Sequence, residues 1–231
     1  MPKILRVLLI VFPLLVASCA PAGDADPDLA GGRSAPVDTR RDPGMSLPRI
    51  VFLGDSLTAG LGLPREQAVP ALIQARLDAE GYAYHVVNAG VSGDTAAGGL
   101  SRLDWSLEGD VAILVVELGA NDGLRGLPVA QMRQNLNEII TRAQRRGVTV
   151  ILTGMEAPPN YGAVYTSEFR QVFRDLASEF DVAFVPFFLE GVAGVPSLNN
   201  PDGMHPNSEG AAIVAETVWR VLEPVLATQD Q

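Results

Sequence analysis

The stretch Ile50-Val51-Phe52-Leu53-Gly54-Asp55-Ser56-Leu57-Thr58 decides how the rest of the chain is organised. Its apolar run ends abruptly at Gly-Asp-Ser, which predicts a buried strand that stops in a tight turn. Gly54 permits a sharp turn that a Cβ atom would crowd. Ser56 then follows the carboxyl end of the strand, which is where open α/β sheets bind their ligands. The amides of a following helical turn would face an anion there.

Two roles are open to the Asp55-Ser56 pair. Both residue types are good helix N-caps, so the pair could simply begin the next helix. Alternatively, Ser56 could be a nucleophile, and this interpretation depends on Asp202-Gly203-Met204-His205-Pro206, near the far end of the chain. An Asp three residues before a His can meet it within one helical turn. A serine nucleophile needs a base and an orienting carboxylate, and this stretch contains both.

Length and composition favour one domain with a full-sized core and a tail. The chain has 231 residues, of which 47% are hydrophobic. Its formal charge is 17 − 27 = −10. Nucleic-acid binding needs a basic face, so this balance argues against a nucleic-acid partner.

The N-terminus predicts export. Lys3 and Arg6 precede an apolar run at 7–17, which is shorter than the ~20 residues of a spanning helix and fits a secretory signal. It ends in Val16-Ala17-Ser18-Cys19, which resembles a bacterial lipoprotein signal. On that resemblance the signal peptide is 1–18, and the Cys19 sulfur carries a diacylglycerol. The alternative is an ordinary secretory signal with a chance cysteine.

The segment after the predicted signal peptide is interpreted as a tether, and its first residues indicate where in the cell the protein is located. Residues 19–47 are rich in Pro, Gly, Ala and Asp without periodicity, which is typical of a flexible tether. Ala20 and Pro21 place no acidic retention residue after Cys19. We therefore expect lipid anchorage in the bacterial envelope, on the periplasmic side and at the outer membrane.

The remaining sequence, 48–227, alternates predicted strands with predicted helices. The strands are expected at 49–53, 83–88, 111–118, 148–152 and 182–185. The main helices are expected at 67–80, 95–103, 128–146, 166–180 and 209–226, the last interrupted near Pro224. This alternation predicts an α/β fold, a three-layer α/β/α sandwich around a parallel five-stranded sheet.

Two further blocks follow predicted strands and supply hydrogen-bond donors. They are Asn88-Ala89-Gly90-Val91-Ser92-Gly93-Asp94-Thr95 and Glu117-Leu118-Gly119-Ala120-Asn121-Asp122-Gly123. Acyl transfer needs donors for an oxyanion, which the Gly93 N–H and the Asn121 amide would provide. Each alone is also typical of ordinary turn chemistry.

Together with Gly54-Asp55-Ser56-Leu57 and the Asp202 to Pro206 stretch, these blocks resemble the SGNH subgroup of GDSL-type serine hydrolases. The resemblance covers about 49–226. It implies that Ser56 is the nucleophile, His205 the base and Asp202 its partner. It also implies that the Ser56 and Gly93 N–H groups and the Asn121 amide form the oxyanion hole. The fold implied is flavodoxin-like.

Two loop stretches narrow the resemblance. Pro158-Pro159-Asn160-Tyr161-Gly162 and Pro186-Phe187-Phe188-Leu189 resemble the bacterial thioesterase I / lysophospholipase L1 / arylesterase branch. The function implied is a serine esterase that hydrolyses short or medium acyl esters, acyl thioesters or lysophospholipids through an acyl-enzyme. No cofactor is implied, and one cysteine with two distant histidines predicts no metal site.

Two other functions stay open on the sequence. One is a carbohydrate esterase that removes acetyl groups from a glycan, and the other is a non-catalytic surface lipoprotein on the same scaffold. The partners expected are a small-molecule or lipid ester and, through the N-terminal lipid, a membrane. We expect a monomer.

Several conspicuous side chains have structural interpretations. His85 is expected to be a packed or edge histidine of the second strand, and Glu117 a structural hydrogen-bonding group. Asp55 is expected to support the turn around Ser56. Trp105 and Trp219 are interpreted as helix packing residues. A final group is interpreted as half core and half pocket wall: Tyr161, Tyr165, Phe187 and Phe188.

Overall fold

The computed structural model describes residues 46–229. The predicted signal peptide, Cys19 and all but the last two residues of the tether lie outside this range. The strands are β1 (Arg49–Gly54), β2 (His85–Gly90), β3 (Val111–Glu117), β4 (Thr149–Thr153) and β5 (Ala183–Val185). The α-helices are α1 (Ser56–Ala59), α2 (Val69–Glu80), α3 (Ala96–Ser101), α4 (Leu103–Ser106), α5 (Ala120–Leu124), α6 (Val129–Arg145), α7 (Ala163–Glu179) and α8 (Ser208–Gln229).

The five strands form one parallel sheet in the order β2-β1-β3-β4-β5. In the central pair, Ile50 is in register with Ile113 and Leu53 with Val116, and all four side chains are fully buried. Burial on both faces is what continuous apolar runs predict for parallel strands. The predicted α/β fold with a five-stranded parallel sheet is confirmed.

Helices cover both faces of the sheet. α2 packs against α8 on one side, while α6 packs between α3 and α7 on the other. The inward residues of α6 show why it folds this way, because they recur at helical spacing: Met132, Leu136, Ile139, Ile140 and Ala143. Pro128 precedes its first residue and Gly147 follows its end, as the sequence predicts. Within residues 46–229 no helix combines the length and the apolar character needed to cross a bilayer.

The prediction that the last helix is interrupted near Pro224 is wrong. α8 continues through Pro224 to Gln229. A proline removes one helical hydrogen bond, but here its ring lies on the exposed side of the helix. Leu222 and Leu226 are fully buried on either side of it, so packing against the sheet stabilises the helix across the proline.

Three smaller differences concern helix and strand ends. α2 begins at Val69, after a short 3-10 turn at Arg65–Gln67, and β2 begins two residues later than predicted. The helix predicted at 95–103 is divided into α3 and α4, with Arg102 at the junction.

His85 is the exposed first residue of the edge strand β2, which agrees with its interpretation as an edge histidine.

The two tryptophans differ. Trp219 is buried in α8, where the Arg76 guanidinium lies 4.4 Å from the centre of its ring. Trp105 has 68% of its surface exposed, so its interpretation as a packing residue is wrong. It lies in α4, which is a single helical turn, and so short a segment has no periodicity to show which side faces the core.

Gly54 ends β1 at a point where no side chain fits. A Cβ atom on it would overlap the Thr58 hydroxyl and lie 2.7 Å from Glu117 Oε2. The sequence-based expectation that a Cβ would crowd this turn is therefore correct. The close approach allows the chain to turn at once from the strand into α1.

We expect Gly54→Ala to lower the free energy of unfolding by more than about 3 kcal/mol, because the new methyl group displaces buried polar atoms. Gly81→Ala is the matched control. Gly81 has a positive φ of 82° but open space around it, so only backbone strain of about 1 kcal/mol is added. Urea denaturation followed by fluorescence measures both. Equal losses in the two variants would contradict the steric account.

Candidate active site

Ser56 is the first residue of a short helix at the carboxyl edge of the sheet. Asp55 is the N-cap of α1, and its Oδ1 accepts the Leu57 N–H at 2.9 Å. The capping role is therefore real, but it is not the only role of the pair. The Ser56 Oγ lies 2.8 Å from His205 Nε2, within hydrogen-bonding distance.

His205 is held by the loop that precedes α8. Its Nδ1 lies 2.7 Å from Asp202 Oδ2, and its backbone oxygen accepts the Asn200 N–H at 2.7 Å. The sequence predicted that Asp202 meets His205 within a helical turn. The contact exists, but the segment is a non-helical turn in which Asp202 Oδ1 accepts the N–H groups of Met204 and His205.

The charge of Asp202 is stabilised by these contacts. The backbone N–H of His205, then that of Met204, then the His205 ring lower the pKa of Asp202 to about 2. The carboxylate thus stays ionised well below neutral pH. An ionised Asp202 fixes a proton on Nδ1 and leaves Nε2 free to accept the proton of Ser56.

The two predicted oxyanion donors lie beside Ser56. Gly93 and Asn121 line the same pocket as Ser56 and His205. Asn121 Nδ2 donates one hydrogen bond to Asp55 Oδ2 at 2.9 Å, which fixes the amide and leaves its second N–H free to point elsewhere. Gly93 has a φ of +86°, in the left-handed region that favours glycine.

Two arginines that the sequence analysis did not single out hold the Gly93 loop. Arg102 donates to Gly54 O at 2.8 Å, to Ala89 O at 2.6 Å and to Asp94 Oδ2 at 2.6 Å. Arg125 Nη2 donates to Gly93 O at 2.8 Å. The planar guanidinium of Arg102 thereby joins the Ser56 turn to the residue that follows Gly93. No sequence signal marks it, because two of its acceptors are backbone oxygens and one of these, on Gly54, lies 48 positions away in the chain.

Glu117 is fully buried at the end of β3. Its Oε2 accepts the Thr58 hydroxyl at 2.8 Å and the Asp55 N–H at 3.3 Å. Burial and then the charge of Asp55 raise the pKa of Glu117 well above its usual value of 4.5. Burial likewise raises the pKa of Asp55. Both residues support the Ser56 turn, as expected from the sequence.

The pocket at this edge has a volume of about 570 Å³. Its walls are mostly apolar, and the side chains that form them beside Ser56 include Leu57, Leu61, Leu124, Met155, Phe187, Leu189 and Met204. Of the aromatic residues interpreted as half core and half wall, Phe187 lines the pocket and Phe188 is fully buried. The Tyr161 and Tyr165 hydroxyls donate to the oxygens of Leu124 and Leu127, so these rings support the wall from outside.

The site has the parts that acyl transfer needs. Among residues 46–229 no group of three or more His, Cys, Asp or Glu side chains is placed to hold a metal ion. A hydroxyl, an imidazole and a carboxylate form one hydrogen-bonded row at the mouth of an apolar pocket. Such a row on a parallel α/β/α sheet is the arrangement of a serine hydrolase.

The comparison with protein families makes the assignment more specific. Residues 52–213 match the GDSL-like Lipase/Acylhydrolase family, and the chain belongs to that family. It is 47% identical over 178 residues to Esterase TesA of Pseudomonas aeruginosa, which covers 77% of this chain and 89% of that protein.

Two other similarities span the same domain. Thioesterase 1/protease 1/lysophospholipase L1 of Escherichia coli is 36% identical over 178 residues, 77% of this chain and 84% of that protein. The psychrotrophic esterase EstA of Pseudoalteromonas sp., solved in a form inhibited by monoethylphosphonate, superposes with a TM-score of 0.74 at 34% identity. That match covers 78% of this chain and 98% of EstA.

The raised pKa of Glu117 predicts a pH-dependent stability. A carboxyl that binds its proton more tightly when folded makes the folded state less stable as pH rises above the unfolded pKa. We expect the free energy of unfolding to fall more steeply above pH 5 in the wild type than in Glu117→Gln, whose neutral amide keeps an oxygen for Thr58. Urea denaturation at pH 5 and pH 9 measures the two slopes, and Glu179→Gln on the surface is the control. Parallel slopes in wild type and Glu117→Gln would contradict it.

Proposed function

We propose that this protein is a serine esterase that hydrolyses carboxylic esters and thioesters through an acyl-enzyme. The observation that carries the proposal is the row formed by Ser56 Oγ, His205 and Asp202, with distances of 2.8 Å and 2.7 Å. A hydroxyl is a weak nucleophile until a base takes its proton. The contact of His205 with the Ser56 hydroxyl, and of Asp202 with the other side of the ring, supports these roles.

In the first half of the reaction, Ser56 Oγ attacks the carbonyl carbon of the ester. His205 Nε2 accepts the proton of Ser56, and Asp202 stabilises the imidazolium that forms. His205 then donates this proton to the leaving alkoxide or thiolate as the bond to it breaks. The acyl group is left as an ester on Ser56.

The negative charge of the tetrahedral intermediate is stabilised by three donors. They are the N–H groups of Ser56 and Gly93 and the Asn121 side-chain amide. The Asn121–Asp55 hydrogen bond and the arginine contacts around Gly93 hold these donors in place before the substrate arrives. Loss of one such donor typically slows the reaction by 10²- to 10³-fold.

In the second half, water attacks the acyl-enzyme. His205 accepts a proton from the water and returns it to Ser56 as the carboxylic acid leaves. The same donors stabilise the second oxyanion. The cycle needs no cofactor.

The pocket supports substrates with an apolar acyl chain. Its walls offer carbon surface from Leu61, Leu124, Met155 and Phe187, with few polar groups away from Ser56. Relatives carry the names esterase, thioesterase and lysophospholipase. We therefore assign short and medium acyl esters, acyl thioesters and lysophospholipids as the substrate class. The apolar walls disfavour an acetylated glycan, whose sugar would need polar partners.

Hydrolysis of a p-nitrophenyl ester series, from acetyl to palmitoyl, tests the function. We expect the wild type to hydrolyse the series and Ser56→Ala to lose about 10⁴-fold or more in kcat, because the nucleophile is removed. Ser101→Ala, a change at an exposed hydroxyl on α3, is the control and should retain full activity. An unchanged kcat in folded Ser56→Ala would disprove the mechanism. A folded wild type that hydrolyses no member would favour the non-catalytic scaffold.

We also propose that the protein is exported and anchored through a lipid on Cys19, on the periplasmic side of the outer membrane, where it acts as a monomer. The support is the sequence Val16-Ala17-Ser18-Cys19 and the absence of any other cysteine in the chain. Several acyl chains together anchor a protein firmly.

Labelling of cells with an alkyne analogue of palmitate tests the anchor. We expect the wild type to incorporate the label and to sediment with membranes, whereas Cys19→Ala incorporates none. Ser18→Ala, next to it, is the matched control and should be labelled. A soluble, unlabelled wild type would show an ordinary secretory signal instead.

A further inference from the structure

Exposed apolar side chains gather around the mouth of the pocket. Eleven large hydrophobic side chains are exposed in residues 46–229. Three of them, Leu61, Leu124 and Met204, line the pocket and extend into solvent. Two more, Val91 and Val195, lie next in the chain to residues that line it. Three of these five side chains therefore line the opening, and the other two are exposed at positions adjacent in the chain to lining residues.

Three further exposed side chains extend this surface on the side of α5 and α7. The Tyr161 hydroxyl donates to Leu124 O, which joins its ring to the pocket wall. Leu127 O accepts the hydroxyl of Tyr165, and Val164, with 73% of its surface exposed, lies between the two tyrosines in the chain. We call these eight exposed side chains the apolar rim: Leu61, Val91, Leu124, Leu127, Tyr161, Val164, Val195 and Met204.

Within the part of the chain that the structure describes, the opposite edge of the sheet lacks such a cluster. Leu47 precedes β1, and Trp105 lies in α4, shortly before β3, so both belong to the amino edge. Ile213 on α8 is the third exposed side chain outside the rim. Scattered exposed hydrophobics are ordinary, whereas a contiguous apolar patch marks an interaction surface.

We propose that the apolar rim docks on a lipid surface, so that a single-chain amphiphile such as a lysophospholipid passes its acyl chain from the bilayer directly into the pocket. This inference rests on the proposed function, because the pocket must act on acyl esters. It goes beyond that function by assigning the surface from which the substrate is taken.

The position of the proposed anchor supports a lipid surface as the occupant. Cys19 and Leu47 are 28 residues apart, a length that reaches at most about 100 Å when fully extended. A domain of this size has a radius of gyration of about 16 Å. The chain can therefore pass around the domain, although it enters at the amino edge while the rim lies at the carboxyl edge.

The charge of the protein indicates which lipid contact is favourable. The formal net charge is −10, so an anionic membrane offers no general attraction. Apolar contact with the lipid interface, rather than charge, must supply the binding energy. Zwitterionic phosphatidylcholine vesicles are therefore the appropriate probe.

The first test compares two substrates in the full-length chain. Val91→Ser, Val164→Ser and Val195→Ser are combined, because none of the three side chains lines the pocket. We expect this variant to hydrolyse soluble p-nitrophenyl butyrate within twofold of the wild type. We expect about a tenfold lower rate on palmitoyl lysophosphatidylcholine embedded in phosphatidylcholine vesicles. Trp105→Ser, an exposed apolar change at the other edge, should alter neither rate.

The second test places a reporter in the rim. Val164→Trp in a Trp105→Phe background puts a tryptophan on the rim, while the wild type keeps its exposed Trp105 at the opposite edge. We expect vesicles of brominated phosphatidylcholine to quench the fluorescence of the first protein at least threefold more than that of the second. Equal quenching would overturn the docking.

The outcomes separate docking from the proposed function. A triple variant that keeps both activities overturns docking, as does one that loses both in parallel. A wild type that is inactive on the soluble ester contradicts the proposed function instead, and the quenching experiment then decides docking by itself.

Discussion

The hydrogen bond between Ser56 and His205 joins residues 149 positions apart in the chain, and the proposed chemistry depends on it. The parallel sheet makes it possible, because the carboxyl ends of all five strands meet at one edge. Ser56 follows β1, an interior strand of the sheet, and His205 comes after β5, which is an edge strand. Register and helix packing thus serve to bring two distant loops within 2.8 Å.

A buried polar network keeps that contact in position. The Glu117 carboxylate accepts hydrogen bonds from the Thr58 hydroxyl and the Asp55 backbone N–H. The Asp55 carboxylate in turn accepts a hydrogen bond from the Asn121 amide. Arg102 joins the same turn to the Gly93 loop. Hydrogen-bond donors that are fixed before the substrate binds need little reorganisation in the transition state. Such preorganisation accounts for most of the rate enhancement at sites of this kind. The burial of Glu117 destabilises its charged form, so this support is obtained at some expense of stability at high pH.

The sequence predicted features that depend on local pattern. The apolar run of β3, the crowding at Gly54 and the order of the four loop blocks all follow from neighbouring residues. Arg102 could not be found this way, because its acceptors on Gly54, Ala89 and Asp94 come together only in the folded sheet. The continuity of α8 through Pro224 and the exposure of Trp105 were missed for a related reason. Tertiary packing stabilises α8 across the proline, and the single turn of α4 has no periodic pattern that would show Trp105 to be exposed.

The most direct test of the account is covalent labelling of the full chain with a reactive alkyl fluorophosphonate, mapped by peptide mass spectrometry. A phosphonate forms a tetrahedral adduct with an activated serine and so probes the nucleophile, the base and the oxyanion donors together. The account predicts one adduct, on Ser56, and slower labelling when Asn121 or His205 is replaced by Ala. Labelling at another serine, or none in the folded wild type, would contradict it.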